Sequence, residues 1–217
     1  MEALLEPLLK SSQLPKYIEQ LSSFWNNEQK RRKAFYEEMD ESRKMEFIEG
    51  EIIIHSPALM KHTEVVQNIT RVFSFFVIEK ELGRVSSEKS LVRLTRNDFE
   101  PDVNFFGKEK SKKIDDSTLF FPAPDLVVEV LSKSTQKIDR GLKFDDFALH
   151  GVDEFWIVDS VKRVVEQYLL EKGKYELNLK TKEGHILCRA IKGLKIPIEA
   201  IFSEKESIKF VKELLKK

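Results

Sequence analysis

The sequence predicts an α+β protein with α/β-like features: a mixed β-sheet flanked by helices, preceded by an N-terminal helical extension. Three observations carry this. The apolar patterns run helix, hairpin, helix, short strands, buried strand, helical crossover, strand, hairpin, which is the order of a mixed sheet with helices packed on it. One run, "LVVEVL" at residues 126–131, is nearly all apolar, β-branched and bounded by Pro124 and the polar Ser132-Lys133-Ser134-Thr135, as a strand buried on both faces would be. Residues 1–44 carry only helical spacing and form the extension, leaving 45–217 as the main domain.

In the extension Tyr17, Leu21 and Trp25, with Ile18 and Phe24 beside them, recur at helical intervals, and Phe35, Tyr36 and Met39 continue the pattern. Such a segment suits a dimer arm or a lid. "MEFI" at 45–48, the pair Glu49-Gly50 and "EIIIH" at 51–55 read as a hairpin with a two-residue turn, ended by Ser56-Pro57. Residues 61–82 place Val65, Ile69, Val72, Phe73, Phe76 and Leu82 on one helical stripe, closed by Gly83. Two short strands near 84–88 and 90–95 follow, with Arg96-Asn97-Asp98 as a turn, then a strand opening at Pro101 and a charged loop over 107–118.

After the strand at 125–131, Ser134 and Thr135 suit the N-cap of a helix running to about His150, with Gly151 as its stop. Ile138, Leu142 and Leu149 would be its buried stripe. "EFWIVD" at 154–159 is a strand, and "VVEQYLLE" with "KYELNLKT" forms a hairpin through Lys172-Gly173-Lys174. "HILCRAI" ends the strand series, and "KFVKELLKK" closes the chain as an amphipathic helix.

With 217 residues, 41% of them hydrophobic, the chain can bury a core of ordinary size, and one domain with an appendage is expected. A single cysteine, Cys188, excludes an internal disulfide framework and a cysteine-cluster metal site. No basic flank followed by an apolar core opens the chain, and no run reaches the ~18 apolar residues of a membrane span. The expected setting is therefore cytoplasmic, with no membrane partner. Charges balance at 37 against 37, without the basic excess usual in nucleic-acid-binding domains. The basic runs at 30–33 and 108–113 read as solvated surface. The sequence has no His-Glu-x-x-His, no glycine-rich phosphate loop and no Gly-x-Ser-x-Gly elbow, which argues against zincins, nucleotide hydrolases and serine esterases.

An ionised Glu129 inside an apolar strand costs several kcal/mol unless a cation or hydrogen-bond donors meet it. Asp102 heads one strand, Glu129 lies midway along the central one, and Lys143 lies on the helix that follows. Carboxylates on neighbouring strands ~5 Å apart can share a hard divalent cation such as Mg²⁺, which binds through one or two carboxylates, phosphate oxygens and water. A lysine nearby can hold the attacking water or stabilise charge developing on phosphorus. Two acids and a lysine are the minimum set for phosphodiester hydrolysis. Asp125 shares the strand face of Glu129 but lies roughly 13 Å along it, too far for one cation, and reads as a strand terminator.

"MEFIEGEIIIHSP", His62, "PDV" at 101–103, "PDLVVEVLSKST" and "DRGLKFDDFALHGVDEFWIVDS" together resemble the Uma-type family of putative restriction endonucleases, over about residues 45–202. That resemblance implies a PD-(D/E)XK, restriction-endonuclease-like fold and a Mg²⁺- or Mn²⁺-dependent endonuclease acting on DNA. It makes Asp102 the metal-binding acid of the Pro-Asp element and Glu129 the second metal-binding acid. The family motif would place its lysine two residues further, where Leu131 stands, and Lys143 on the following helix is the candidate for that role. Glu46 matches another acidic position and would support the site. Apart from the resemblance, sheet edges and the helical arm leave a homodimer open, two-fold pairs being the commonest assembly, though nothing in the sequence derives it.

Other readings stay open. Glu129 and Lys143 can form a structural ion pair without chemistry, and Lys143 can face solvent beside Asp139 at i,i+4. His62 can cap or pack instead of standing at a site mouth. His55 reads as an exposed strand position, Asp159 as a turn former, and Phe155 and Trp156 as core. The alternative function is a nuclease-fold module that has lost catalysis and acts in binding or dimerisation.

Overall fold

The computed structural model describes residues 2–40 and 42–216. The chain opens with α1 (Glu2–Leu9) and the long α2 (Leu14–Glu38), then the hairpin β1 (Met45–Ile48) and β2 (Glu51–Ile54). Helix α3 (Met60–Glu79) leads to β3 (Gly83–Ser87), β4 (Leu91–Arg93), β5 (Asp98–Phe99), β6 (Val103–Gly107), the single turn α4 (Lys108–Ser111) and β7 (Phe120–Phe121). Strand β8 (Leu126–Val130) is followed by α5 (Gln136–Asp139), α6 (Leu142–Leu149), β9 (Glu154–Asp159), β10 (Val164–Glu171) and β11 (Lys174–Thr181). A ribbon of β12 (His185–Leu187) and β13 (Lys195–Pro197) precedes α7 (Ile198–Phe202) and α8 (Glu204–Leu214).

The strands build two sheets besides the ribbon. A six-stranded sheet has the order β11-β10-β9-β8-β6-β3, with only β8 and β9 parallel. Its parallel pair needs a crossover, which residues 131–153 supply through α5 and α6. A five-stranded sheet has the order β2-β1-β5-β4-β7, so the 45–54 hairpin belongs to a second sheet and not to the central one. Its two-residue turn has positive φ at both Glu49 and Gly50, the backbone twist that a tight hairpin demands.

Side-chain alternation sorts the core. Leu126, Val128 and Val130 of β8 pack with α3, α7 and the β12–β13 ribbon, as do Trp156 and Val158 of β9. Val127, Phe155 and Ile157 point the other way, into a cluster with Phe147 of α6 and with Val92, Leu94 and Phe99 of the five-stranded sheet. Phe35 of α2 covers Met45, Phe47 and Leu91 on the far side of that sheet, its ring stacked 5.7 Å from Phe47. Among the described residues, no helix is long and apolar enough to cross a membrane.

Several boundaries differ from expectation for local reasons. The α3 helix stops at Glu79, with Glu81 in the left-handed region and Leu82 N–H donating back to the Val77 carbonyl at 2.9 Å. Gly83 begins a strand instead, at a φ of +146° where an added Cβ would overlap the Phe106 carbonyl. The crossover helix breaks at Gly141, and Leu149, expected in its buried stripe, is 75% exposed while Lys143 and Phe147 face inward. Ser132, ahead of the expected caps, accepts a hydrogen bond from Thr135 N–H at 3.1 Å.

Helix α2 is locked down by a buried ion pair. Both Arg32 Nε and Nη2 donate to the Asp98 carboxylate at 2.7 Å, Nη1 and Nη2 also reach backbone carbonyls, and the Tyr36 hydroxyl donates to the same carboxylate at 3.0 Å. Removing one partner of such a pair strands a charge in the interior. Arg32→Met is expected to lower unfolding free energy by roughly 3–5 kcal/mol, measured by urea titration, while Arg31→Ala, which loses only an exposed pair with Glu51, costs less than about 1 kcal/mol.

Candidate active site

Alternation along two strands decides which acids meet. On β8, Val128 and Val130 face α3, so Glu129 faces α6. On β6, Val103 and Phe105 face α3, so Asp102, one residue ahead of the strand, looks the same way as Glu129. The strands are antiparallel with Val103 opposite Val128, and one further step in that register sets Asp102 opposite Glu129. The site edge is fixed by Val130 N–H, which donates to Asp102 Oδ2 at 2.8 Å. Asp102 Oδ1 faces Lys44 Nζ at 2.8 Å and His62 Nε2 at 3.4 Å.

Lys143 turns to the sheet, a direction the sequence left open. It is 2% exposed, one helical turn before Phe147 on the inward face of α6. Its ammonium lies 2.8 Å from Glu46 Oε1, 3.0 Å from Glu129 Oε1 and 3.6 Å from Asp139 Oδ1, with the Phe99 ring centroid 5.6 Å away. Glu46 is held in turn by Glu100 N–H at 2.8 Å and by His55 Nε2 at 2.8 Å. His55 is therefore mostly buried behind Glu46, and not the exposed strand residue expected. Asp125 terminates its strand as expected, accepting from Gly107 N–H at 2.6 Å, and Asp159 accepts from Val161 and Lys162 N–H in the turn before β10.

Electrostatics follow from this crowding. Burial alone would pull Lys143 down, but Glu129, Glu46 and Asp139 hold its ammonium well above the ordinary lysine value. Burial would raise Glu46, yet Lys143 and the His55 hydrogen bond bring it down to about 2. Burial acts on Asp102 in the same sense and is overcome by Lys44 and His62, leaving it well below the usual carboxylate range. Glu129 goes the other way: burial, with Asp139 and Asp102 adding, pushes it well above its ordinary value against the pull of Lys143. Asp139 is also raised, chiefly by burial. Lys143 thus holds its proton more tightly than a free lysine, and Glu129 is shifted toward its protonated form.

Two participants have weak sequence signals. Asp139, four residues before Lys143, is buried with neither carboxylate oxygen hydrogen-bonded, and only this spacing hinted at it. Lys44 sits in the linker before β1, where nothing in the pattern singles it out. His62 and Glu88 each offer a ligand atom that, with one from Asp102, falls within a 4.8 Å cluster able to hold a metal ion. All of these line one cleft of about 740 Å³. Its floor is acidic, and Arg43, Lys61, Lys89 and Lys133 stand among its walls.

Comparison with known proteins adds the following. A family model described as Uma2, "Putative restriction endonuclease", matches residues 33–199. An uncharacterized protein of Synechocystis sp., sll1609, is 29% identical over 129 residues, 58% of this chain and 72% of that protein. The crystal structure of a putative nuclease belonging to DUF820 from Anabaena variabilis superposes with a TM-score of 0.67 at 18% identity, covering 77% of this chain and 94% of that one. This likeness establishes the nuclease-like fold, mixed sheets flanked by helices.

Since the Glu46 carboxyl is lowered from 4.5 to about 2 on folding, its contribution is full above pH ~4.5 and lost as pH falls toward ~2. Urea titrations of Glu46→Gln are expected to show a deficit of about 3 kcal/mol against wild type at neutral pH, shrinking steadily below pH ~4.5.

Proposed function

The chain belongs to the Uma2 family of putative restriction endonucleases, and on that premise we propose that it is a divalent-metal-dependent endonuclease hydrolysing phosphodiester bonds in DNA, acting in the cytoplasm. The observation that carries this reading is an excess of buried acid. Glu46, Asp102, Glu129 and Asp139 share one region with only two ammonium groups, Lys44 and Lys143. Glu129 and Asp139 are pushed toward their protonated forms, and the two negative charges that appear when they ionise beside Glu46 and Asp102 are what a divalent cation would neutralise. The donors suit a hard ion: they are carboxylate oxygens, and both oxygens of Asp139 lack hydrogen-bond partners.

Asp102 and Glu129 would hold Mg²⁺ or Mn²⁺. Bound there, the ion would supply Lewis acidity toward a phosphodiester and acidify a bound water. The protein's own groups would do the rest. Val130 N–H keeps Asp102 at the cleft floor. Lys143, its ammonium ringed by Glu46, Glu129 and Asp139, would orient the attacking water or supply a positive charge against which charge on phosphorus can develop. Glu46, backed by His55, holds that ammonium in place. The basic residues of the cleft wall suit a phosphodiester backbone, although the chain as a whole is neutral.

One observation favours the alternative, a nuclease-fold module that binds or dimerises without catalysis. The Lys143 ammonium is already ringed by three carboxylates, a set that can stand as a structural ion cluster. Cleavage distinguishes the two readings. Glu129→Gln is expected to lower metal-dependent cleavage of plasmid DNA at least about a hundredfold, with an unchanged circular dichroism spectrum. Undiminished cleavage in that folded variant would end the catalytic assignment.

The extension at 1–44 is proposed to join two copies. Leu14, Ile18, Leu21, Trp25, Glu28, Arg32, Phe35 and Met39 follow one 3-4 spacing along α2. The second half of this stripe packs on the chain's own core, while Ile18, Leu21 and Trp25 remain exposed. Leu21→Glu with Trp25→Glu should turn a homodimer into a monomer in sedimentation velocity; a wild-type monomer at tens of micromolar would refute the pairing.

A further inference from the structure

We infer that His62 and Glu88 complete a cation seat on Asp102, making this a site for a transition-metal dication such as Mn²⁺ in preference to Mg²⁺, with Lys44 occupying the place until the ion arrives. The inference rests on the proposed reading that the cleft holds a cation, and extends it to ligands and ion class.

The geometry converges on one oxygen. Asp102 Oδ2 is committed to Val130 N–H, so Oδ1 is the atom that faces the cleft. Around it stand His62 and Glu88, each with a ligand atom inside the 4.8 Å cluster. Glu88 is tied to this spot, because its N–H donates to the Asp102 carbonyl at 3.1 Å. Two further observations point to a ligand and not to a closed hydrogen-bond network. His62 Nε2 stands 3.4 Å from Asp102 Oδ1, too long for a close contact, and both oxygens of Asp139 in the same cleft are buried without a hydrogen-bond partner. Asp139 is buried to within 1% of fully enclosed, so bulk water does not satisfy it.

The donor chemistry sets the ion. Mg²⁺ takes oxygen ligands and retains waters, whereas an imidazole nitrogen beside carboxylates suits a first-row transition dication, Zn²⁺ or Fe²⁺ above all, with Mn²⁺ at the weak end of that series and the one that reports by spin resonance. Lys44 supplies the remaining argument. Its ammonium sits 2.8 Å from the very oxygen a metal would use. It is a tethered monovalent cation at the position where a divalent one is wanted. Its side chain is 23% exposed, so it has room to swing outward.

Mn²⁺ titrated into the full chain and followed by electron paramagnetic resonance tests this directly. Wild type is expected to bind Mn²⁺ in preference to Mg²⁺, with electron spin echo modulation from one directly coordinated nitrogen. His62→Gln should abolish the nitrogen modulation and weaken binding at least about tenfold; His55→Gln should keep the modulation. Glu88→Gln, at a less enclosed position, should weaken binding similarly, and Lys44→Gln should tighten it because no ammonium has to leave. Mn²⁺ bound without nitrogen modulation, or bound as tightly by both His62→Gln and Glu88→Gln, would overturn the inference while leaving the Asp102–Glu129 cation reading intact. Weaker binding in Lys44→Gln would overturn the placeholder role. No Mn²⁺ bound at millimolar concentration would remove both the inference and the metal-dependent function beneath it.

Discussion

The buried ammonium of Lys143 is the polar meeting point of three parts of the molecule, set beside the apolar cluster that they also share. Glu46 comes from the five-stranded sheet, Glu129 from the six-stranded sheet and Asp139 from the crossover helix, and all converge on it. Each carboxylate would be costly in an apolar interior by itself, and so would the lysine. Their mutual dependence ties the packing of two sheets to the placement of one cation. Lys143, Glu129 and Asp139 also line the cleft, with Glu46 enclosed behind them, so the architecture and the candidate chemistry share one set of charges.

Not every buried acid in this chain has that character. Glu154, equally enclosed, receives donors at both oxygens: the Trp156 indole at 2.7 Å, the Gln167 amide, and Arg189 and Ala190 N–H at 2.8 and 2.7 Å. It clamps β9 to the turn at 188–190 and asks for nothing more. Asp139 has the opposite economy of bonds, with an ammonium at 3.6 Å and no hydrogen-bond donor. A buried carboxylate saturated by donors needs no further partner, while one short of donors beside a cleft keeps acceptor capacity that the fold itself leaves unused.

Net neutrality hides this polarity. The totals of 37 and 37 average an acidic floor against basic cleft walls, a pairing that suits a metal ion beneath a phosphate backbone better than a uniformly basic surface would. The displaced lysine fits the same logic. With Leu131 two residues after Glu129 packed among apolar neighbours, the ammonium reaches the acid from α6 across the sheet face.

Much of the fold was legible because strand and helix periods are local properties. Of the run at 126–131, residues 126–130 form a fully buried strand with Leu131 half-buried just beyond it, the Glu49-Gly50 and Lys172-Gly173 turns close hairpins, and Asp102, Glu129, Lys143 and Glu46 were picked out by residue type, motif and family resemblance. Tertiary structure decided what period alone cannot carry: the register that sets Asp102 opposite Glu129, the inward turn of Lys143, the split into two sheets, and the enlistment of His55, Lys44 and Asp139. Sequence spacing records which face of its own element a residue occupies. Whether an amine between solvent and sheet turns inward depends on charges from distant segments, and those meet only once the chain has closed around them.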